Sequence, residues 1–449
     1  MVNMAELPKY ENYKDSNIEW LKEIPVDWSV ERFHHVFRFA KGLNITKENL
    51  QDEGILCVNY GEVHSKYSFE LDTSIHALKY VDASYLKYNK KSLVKHSDFI
   101  FADTSEDLEG SGNFTYLKSD EEIFAGYHTL IARLKYKRNE RYLAYVLESM
   151  SFRLQVRRAV KGVKVYSITQ NILKSTKIWF ATEQEQSLIA KFLDNKILQI
   201  NKVIEYKQQQ ITLLKERKQI IIQKAVTQGL DANVPRKDSG VSWIGKIPEH
   251  WEVKRLKYIL SERNERSKTG EEPLLMVSQV HGLVVRADYH DKAEVASSNI
   301  DNKIVYENDL VFNKLKAHLG VFFKSGLNFK GLVSPDYAVY RCKSHIVDAK
   351  YLELLFRNPS YIEQFIIRAT GIVEGFIRLY TGDLFEISVP IAPATEQLEI
   401  ISYIETQSKK YDSSIDLQKK QIEKLKEYKT TLINSAVTGK IKITPEMVE

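Results

Sequence analysis

Two stretches of this 449-residue chain, residues 183–228 and 395–438, contain neither proline nor glycine. Nothing in them breaks a helix, so each reads as one rod of roughly 65 Å at about 1.5 Å per residue. Alternating steps of four and three residues from Leu193 meet Ile197, Ile200, Ile204, Lys207, Ile211, Leu214, Lys218, Ile221 and Ala225. The second stretch gives Ile404, Ser408, Tyr411, Ile415, Gln418, Ile422, Leu425, Lys429, Leu432 and Ala436. An apolar stripe at this spacing is a coiled-coil seam, too narrow to stand without a partner. The polar steps coincide in both, Lys207 with Gln418 and Lys218 with Lys429, as register-setting positions would. The alternative is two unrelated amphipathic surface helices. The matching seams favour an antiparallel pair that holds globular domains apart at its opposite ends.

The match extends well beyond the seams. Both rods close on Ala-Val-Thr, at Ala225 and Ala436, and 436 − 225 = 211. The same offset relates Glu185-Gln186 to Glu396-Gln397, Leu214-Lys215-Glu216 to Leu425-Lys426-Glu427, and "SDFIF" (97–101) to "NDLVF" (308–312). A second repeat opens each half: "NIEWLKEIPVDWSVERF" at 17–33 resembles "GVSWIGKIPEHWEVKRL" at 240–256. Here Trp28 pairs with Trp251, and 251 − 28 = 223. The copies therefore differ by 223 − 211 = 12 residues, all between Trp28 and Asp98 or their partners. Each half is a constant opening, a variable body and a constant helical end.

The bodies are mixed in pattern. "ILCVNY", "DFIFA", "LIARL", "LVVRA" and "YAVYR" read as strands; "RYLAYVLESMSFRLQVRRAV" and "KYLELLFRNPSYIEQFIIRA" show helical spacing. The expected fold is α+β: two pseudo-symmetric globular domains, residues 1–181 and 231–394, separated by two long helices, 182–230 and 395–440, with a tail at 441–449. The Ala-Val-Thr ends read as helix stops. Gly229 follows its threonine by two residues and Gly439 by one, so the cap geometries are expected to differ.

Composition excludes several classes. No run approaches the roughly 20 apolar residues that span a bilayer, and the polar N-terminus is not a signal peptide. The two cysteines, Cys57 and Cys342, have no metal-ligand spacing, which points to a reduced, cytoplasmic protein without disulfides. No phosphate-binding P-loop, dinucleotide fingerprint or paired Cys-x-x-Cys is present, so neither a catalytic nor a metal site is expected. "NPSY" at 358–361 resembles the loop that holds a flipped adenine in amino-methyltransferases, but it interrupts a helical pattern. It reads as a helix joint with Pro359 in the first turn of the second helix.

Positive charge is concentrated, although the net charge is only +6. Arg153, Arg157 and Lys161 lie at i, i+4 and i+8, one face of an expected helix, with Lys164 beyond. "ERNERSKTG" (262–270) and "NKLKAHLG" (313–320) add further clusters in polar loops. Lys and Arg suit phosphates, whereas Asn, Gln and Arg can read base edges. Candidate phosphate contacts are Lys41, Arg157, Lys161, Lys164, Arg263, Arg266, Lys268, Lys314 and Lys316. Candidate base-edge or groove contacts are Thr104, Ser105, Asn113, Tyr166, Gln279, Asn313, His318, Arg378 and Tyr380. Asp103, Glu106, Asp107 and Glu109 oppose a simple basic surface; they either cap a turn or accept from a cytosine amine.

With "EIPVDWSVERF", "KIPEHWEVKRL" and the Glu-Gln helices closing on Ala-Val-Thr, the chain resembles the specificity subunit of a type I restriction-modification enzyme over essentially its whole length. "NDLVFNKLKAHLG" with "GLVSPDYAVYR" is similar to one class of that family's target-recognition domains, and "SDFIFADTSEDLEGSGN" to another. The resemblance implies a non-catalytic chain whose two recognition domains each read half of a bipartite, asymmetric site on double-stranded DNA. It implies docking of two modification subunits and, through them, restriction subunits. S-adenosylmethionine, ATP and Mg would reside in those partners, with no cofactor in this chain and no membrane contact. Competing readings are a stand-alone DNA methyltransferase or nuclease, which would itself bind S-adenosylmethionine, and a coiled-coil adaptor that does not bind DNA.

Overall fold

A computed structural model of the chain describes residues 6–162, 165–279, 281–289, 299–371 and 378–448. It divides into two compact units, Met1–Lys207 with Lys420–Glu449, and Gln208–Lys419. Each unit thus owns half of each long helix, Glu183–Gln228 and Ala394–Val437.

The halves pair antiparallel within both units. In the first, Lys207 donates to Gln421 and Lys429 to Asn201 at 3.1 Å. In the second, Lys218 reaches Asp412 at 2.8 Å, so one number rises as its partner falls. All twenty seam positions are buried or half-buried, while their neighbours Leu198, Tyr206, Leu213, Ile220 and Leu417 are exposed. The seam lysines keep their stems in the seam and turn their ammonium groups to polar side chains at its rim.

The first unit is built on a five-stranded sheet, in the order Phe37–Lys41, Thr129–Leu134, Phe99–Ala102, Phe114–Leu117, Phe69–Leu71. "FIFA" is apolar at every position because both faces are covered. Phe99 and Phe101 point into the main core, and Ile100 and Ala102 into a second core beside a four-stranded sheet. The second unit repeats this with the order Leu260–Glu262, Ala338–Cys342, Leu310–Phe312, Phe322–Lys324. Leu310 and Phe312 enter its main core, and Val311 the other.

Each helical stretch of the bodies is two helices, the second divided at the expected joint. Glu140–Glu148 and Met150–Ala159 meet at Ser149, whose ψ of 147° ends one helix and whose hydroxyl accepts from Phe152 N to start the next. Ala349–Phe356 and Pro359–Arg368 meet at Asn358, which accepts from Ser360 N at 3.0 Å, with Pro359 in the first turn. "NPSY" is therefore a capped joint. Because the second helix of the first unit ends at Ala159, Lys161 lies beyond it and does not continue the Arg153–Arg157 face.

The constant motifs converge once in each unit. Trp28, fully buried, donates its indole N–H to Glu185 at 3.2 Å, and Trp251 donates to Glu396 at 2.9 Å. Gln186 and Gln397 each donate to the carbonyl five residues back, Ala181 and Ala392, at 2.8 Å. The helix end that completes each cluster belongs to the other rod. Gly439 sits against Pro25 and Trp28, and Gly229 against Pro248, Trp251 and Glu396.

Both glycines are left-handed, with φ +72° and +75°, but their caps differ. Gly229 N–H bonds to Ala225 O alone, an αL cap. Gly439 N–H reaches Ala436 O and Lys440 N–H reaches Ser435 O, a Schellman pair. The carbonyl before each stop is also met differently: Trp179 donates to Val437 O, and the Tyr351 hydroxyl to Val226 O at 3.5 Å.

The segment after residue 440 is more than a tail. Ile441 and Ile443 are buried in the first unit's core, and Lys442 N–H bonds to Pro8 O at 2.7 Å. Their alternate apolar side chains enter the same core that Leu7 and Tyr10 pack against.

Candidate nucleic-acid interface

In each unit three neighbouring strands deliver loops to one end of the main sheet. In the first unit the register pairs Leu130 with Lys41 and Thr129 with Ala102. That places Lys41, His128 and Asp103 together. Thr104–Ser105 then pairs with Tyr166–Ser167, and Lys161 bridges to Ser167. Thr104, Ser105, Lys161 and Tyr166 are thereby gathered from two distant stretches. Ser105 faces inward, only 2% exposed, with its hydroxyl donating to Asp107 O at 2.6 Å. It braces the loop and presents nothing to a groove.

The loop that follows is tied down by a polar chain. Asn113 donates to His64 O at 3.2 Å and accepts from Arg153, which in turn donates to Glu148 at 2.7 Å. Gly110 lies so close to the His64 ring that a Cβ would approach it to 2.2 Å. Arg157 donates to Glu109 O, while its buried Nε meets no partner among the described residues. Its guanidinium is drawn below the usual arginine range by burial first and then by Arg153. A phosphate there would relieve both penalties. Lys164 lies outside the described residues.

The second unit's sheet end carries a different charge pattern. Lys303 and Lys314 both approach Glu262, at 3.6 and 3.8 Å, and the backbone of Arg266 forms a β-bridge with that of Lys303. Lys303 is only 4% exposed, and its ammonium is pushed down by burial and then by Lys314. One carboxylate therefore serves a cluster of cations, a setting that favours an incoming anion. Arg266 also donates to Asp301 O at 2.8 Å. Asn313 caps the turn after its strand, accepting from Leu315 N at 3.1 Å, and Leu379 N–H donates to Lys314 O, drawing the Arg378–Tyr380 segment alongside. Arg378 exchanges backbone bonds with Thr370, and Tyr380 is 49% exposed.

Arg263 departs from the expectation of a phosphate contact. Its fork engages the buried Asp309 at 2.8 and 3.1 Å, and it stacks over Tyr306 at 4.4 Å. Asp98 and Arg133 form the matching pair in the first unit, at 2.9 Å. Arg263 therefore closes a turn. Lys268, Gln279 and Lys316 are exposed, Gln279 beside the turn that joins Leu275–Ser278 to Gly282–Val285. Among the described residues no hydrogen bond or ion pair joins Lys268 or Gln279 to the cation cluster. The side chain of His318 lies outside the described residues.

Sequence reasoning passed over Tyr60, His64, Tyr127, His128 and Lys303. "GYHTL" at 126–130 was the available signal, an aromatic pair opening a buried strand. Among the described residues no group of His, Cys, Asp and Glu could hold a metal ion, and no helix is long and apolar enough to cross a membrane.

The tandem α+β units, each ending a main sheet in variable polar loops and sharing one helical pair, define the class of fold. Residues 25–213 match the family described as the type I restriction modification DNA specificity domain. The type I restriction enzyme MjaVIII specificity subunit of Methanocaldococcus jannaschii is 24% identical over 99% of this chain and 99% of its own length. A solved chain from a study of complex assembly in the type I R-M system superposes with TM-score 0.64 at 15% identity, covering 92% of this chain and 98% of that one. The HsdS subunit from Thermoanaerobacter tengcongensis gives TM-score 0.51 at 14% identity, covering 93% and 98%. Residues 25–213 thus carry that DNA specificity domain, and over almost its whole length the chain is similar to specificity subunits of type I restriction enzymes.

Proposed function

We propose that this chain gives a type I restriction-modification complex its DNA sequence specificity, each unit reading one half of a bipartite target. One observation carries the reading: constant motifs that make the same bonds in both units frame sheet ends whose polar loops differ. A duplicated scaffold with divergent ends is what a two-part, asymmetric recognition task requires. The chain itself is non-catalytic in this reading. It works in the cytoplasm on double-stranded DNA, docked to two modification subunits and, through them, to restriction subunits. S-adenosylmethionine supports adenine N6 methylation in the former, and ATP with Mg drives cleavage of unmodified DNA in the latter.

The cation clusters supply phosphate contacts, and such contacts make binding fall steeply with salt. Methylation-sensitive sequencing of host DNA, with and without this gene, is the test. Loss of one bipartite adenine-methylated motif is expected, and exchanging residues 24–181 for those of another family member should alter one half of the motif only. An unchanged methylome, or salt-insensitive DNA binding by the chain with its modification partner, overturns the proposal.

A further inference from the structure

At the first unit's sheet end His128 is held in an unusual state. Its φ is +55°, a left-handed conformation that costs a non-glycine residue on the order of 1 kcal/mol. The conformation is fixed from several sides. Asp103 N–H donates to His128 O at 3.0 Å, and Gly42 N–H donates to the next carbonyl, Thr129 O, at 3.0 Å. Tyr60 and Tyr127 flank the imidazole edge-on, with ring centroids at 5.6 and 6.1 Å. The tyrosines are themselves tied, Tyr60 N–H to Tyr127 O at 3.3 Å and Tyr127 N–H to the side chain of the buried Asn59 at 3.2 Å.

The imidazole is oriented as well as placed. Nδ1 lies 3.1 Å from Asp103 Oδ1, which also accepts from the Thr104 hydroxyl at 2.7 Å. An ionised carboxylate can only accept, so the tautomer that bonds to Asp103 carries its proton on Nδ1 and presents a lone pair at Nε2. The side chain is 59% exposed, and no bond to Nε2 occurs among the described residues. A strained, doubly braced side chain whose outer nitrogen is left for a ligand does nothing for packing. The Thr104 hydroxyl lies 3.4 Å from Nδ1, and Lys41 is the register partner of Leu130, two residues further along the strand.

The geometry points to His128 as a specificity-determining residue of the first unit, its Nε2 accepting a hydrogen bond from an exocyclic amine, adenine N6 or cytosine N4, in the major groove. Asp103 and Thr104 are positioning residues that set the tautomer and ring angle. The inference rests on the DNA-recognition reading above and goes beyond it by naming one contact and its chemistry. A single lone pair selects for an amine and against the oxygen acceptors of guanine and thymine at the same groove position.

The test uses the chain assembled with its modification subunits and reads the methylated motif by sequencing. His128→Gly suits the left-handed backbone and removes only the imidazole; His128→Asn also tolerates that backbone but shortens the reach. Both are expected to relax the motif at one position of one half, with discrimination there falling roughly 5- to 150-fold. The other half should stay intact and the salt dependence of binding unchanged. Asp103→Asn should relax the same position by removing control of the tautomer. An unchanged motif in a variant that melts with the wild type overturns the inference. So does a uniform loss of affinity without change of preference, which would make His128 a backbone contact. If the wild-type complex writes no bipartite motif, the failure lies in the recognition reading instead.

Discussion

In the first unit Glu185 accepts the indole proton of Trp28, and in the second Glu396 accepts that of Trp251. At the sheet ends the same offset of 211 relates an aspartate, Asp103, to a lysine, Lys314. The two regions teach different constraints. Around the tryptophans a helix start, a domain opening and the stop of the opposite rod must fit together twice, so a change on one partner disturbs the other two. The loops at the sheet ends touch few constant residues and are free to diverge in charge. One end offers an imidazole flanked by two tyrosines; the other offers Lys303 and Lys314 at one carboxylate.

The strongest challenge to this equivalence lies at the helix stops. A Cβ on Gly439 would meet Pro25 Cδ at 2.3 Å, whereas one on Gly229 meets the end of the Glu396 side chain at 2.8 Å. Gly439→Ala adds overpacking to left-handed strain and should lose about 3 kcal/mol in denaturant unfolding of the full chain. Gly229→Ala should lose about 1–2 kcal/mol, since a carboxylate can swing aside. Equal losses would show that the two stops are packed alike.

Next come the glutamates. Glu185→Ala and Glu396→Ala each strand a buried indole N–H, a loss of about 2 kcal/mol apiece. Glu396 also meets His250 at 2.7 Å, but Glu185 accepts from both the Thr182 hydroxyl and its N–H, at 2.8 and 3.2 Å, so the loss at Glu185 should be the larger of the two. Thermal melts that separate them in the opposite order would break the comparison.

A smaller contrast is set by pH. Burial raises the Glu70 carboxyl, but Arg141 and Lys118 outweigh it and hold the group below its usual range. A depressed carboxylate adds stability above its unfolded pKa, and that stability is lost as pH falls through the folded value. Asp309 in the second unit is instead raised by burial against the pull of Arg263, so acid favours its folded form. Glu70→Gln should therefore lose about 1 kcal/mol at pH 7 and converge with the wild type in acid. A pH-independent difference would assign the loss to packing.

The least effect on stability is expected at Lys316, exposed where its partner at the 211 offset, Ser105, is buried. Lys316→Ala should leave melting within about 0.5 kcal/mol and lower the salt slope of DNA binding by about 0.9. Ser105→Ala should not change that slope. A slope that moves with Ser105 would bring the buried loop into contact with phosphate.

The sequence alone determined the duplication, both rods, their seams and the helix joint at Asn358, because periodicity and capping are local and survive in one dimension. Even the difference between the caps followed from one extra residue before Gly229. Tertiary structure alone decided which groups are available at the sheet ends. Arg263 looks like any loop arginine until Asp309, 46 residues away, occupies its fork, and Ser105 looks polar until the Tyr166 ladder turns it inward. It also decided that Ile441 and Ile443 are core and that His128 is braced. Those outcomes rest on partners brought together by sheet register, and register is a property of the folded chain.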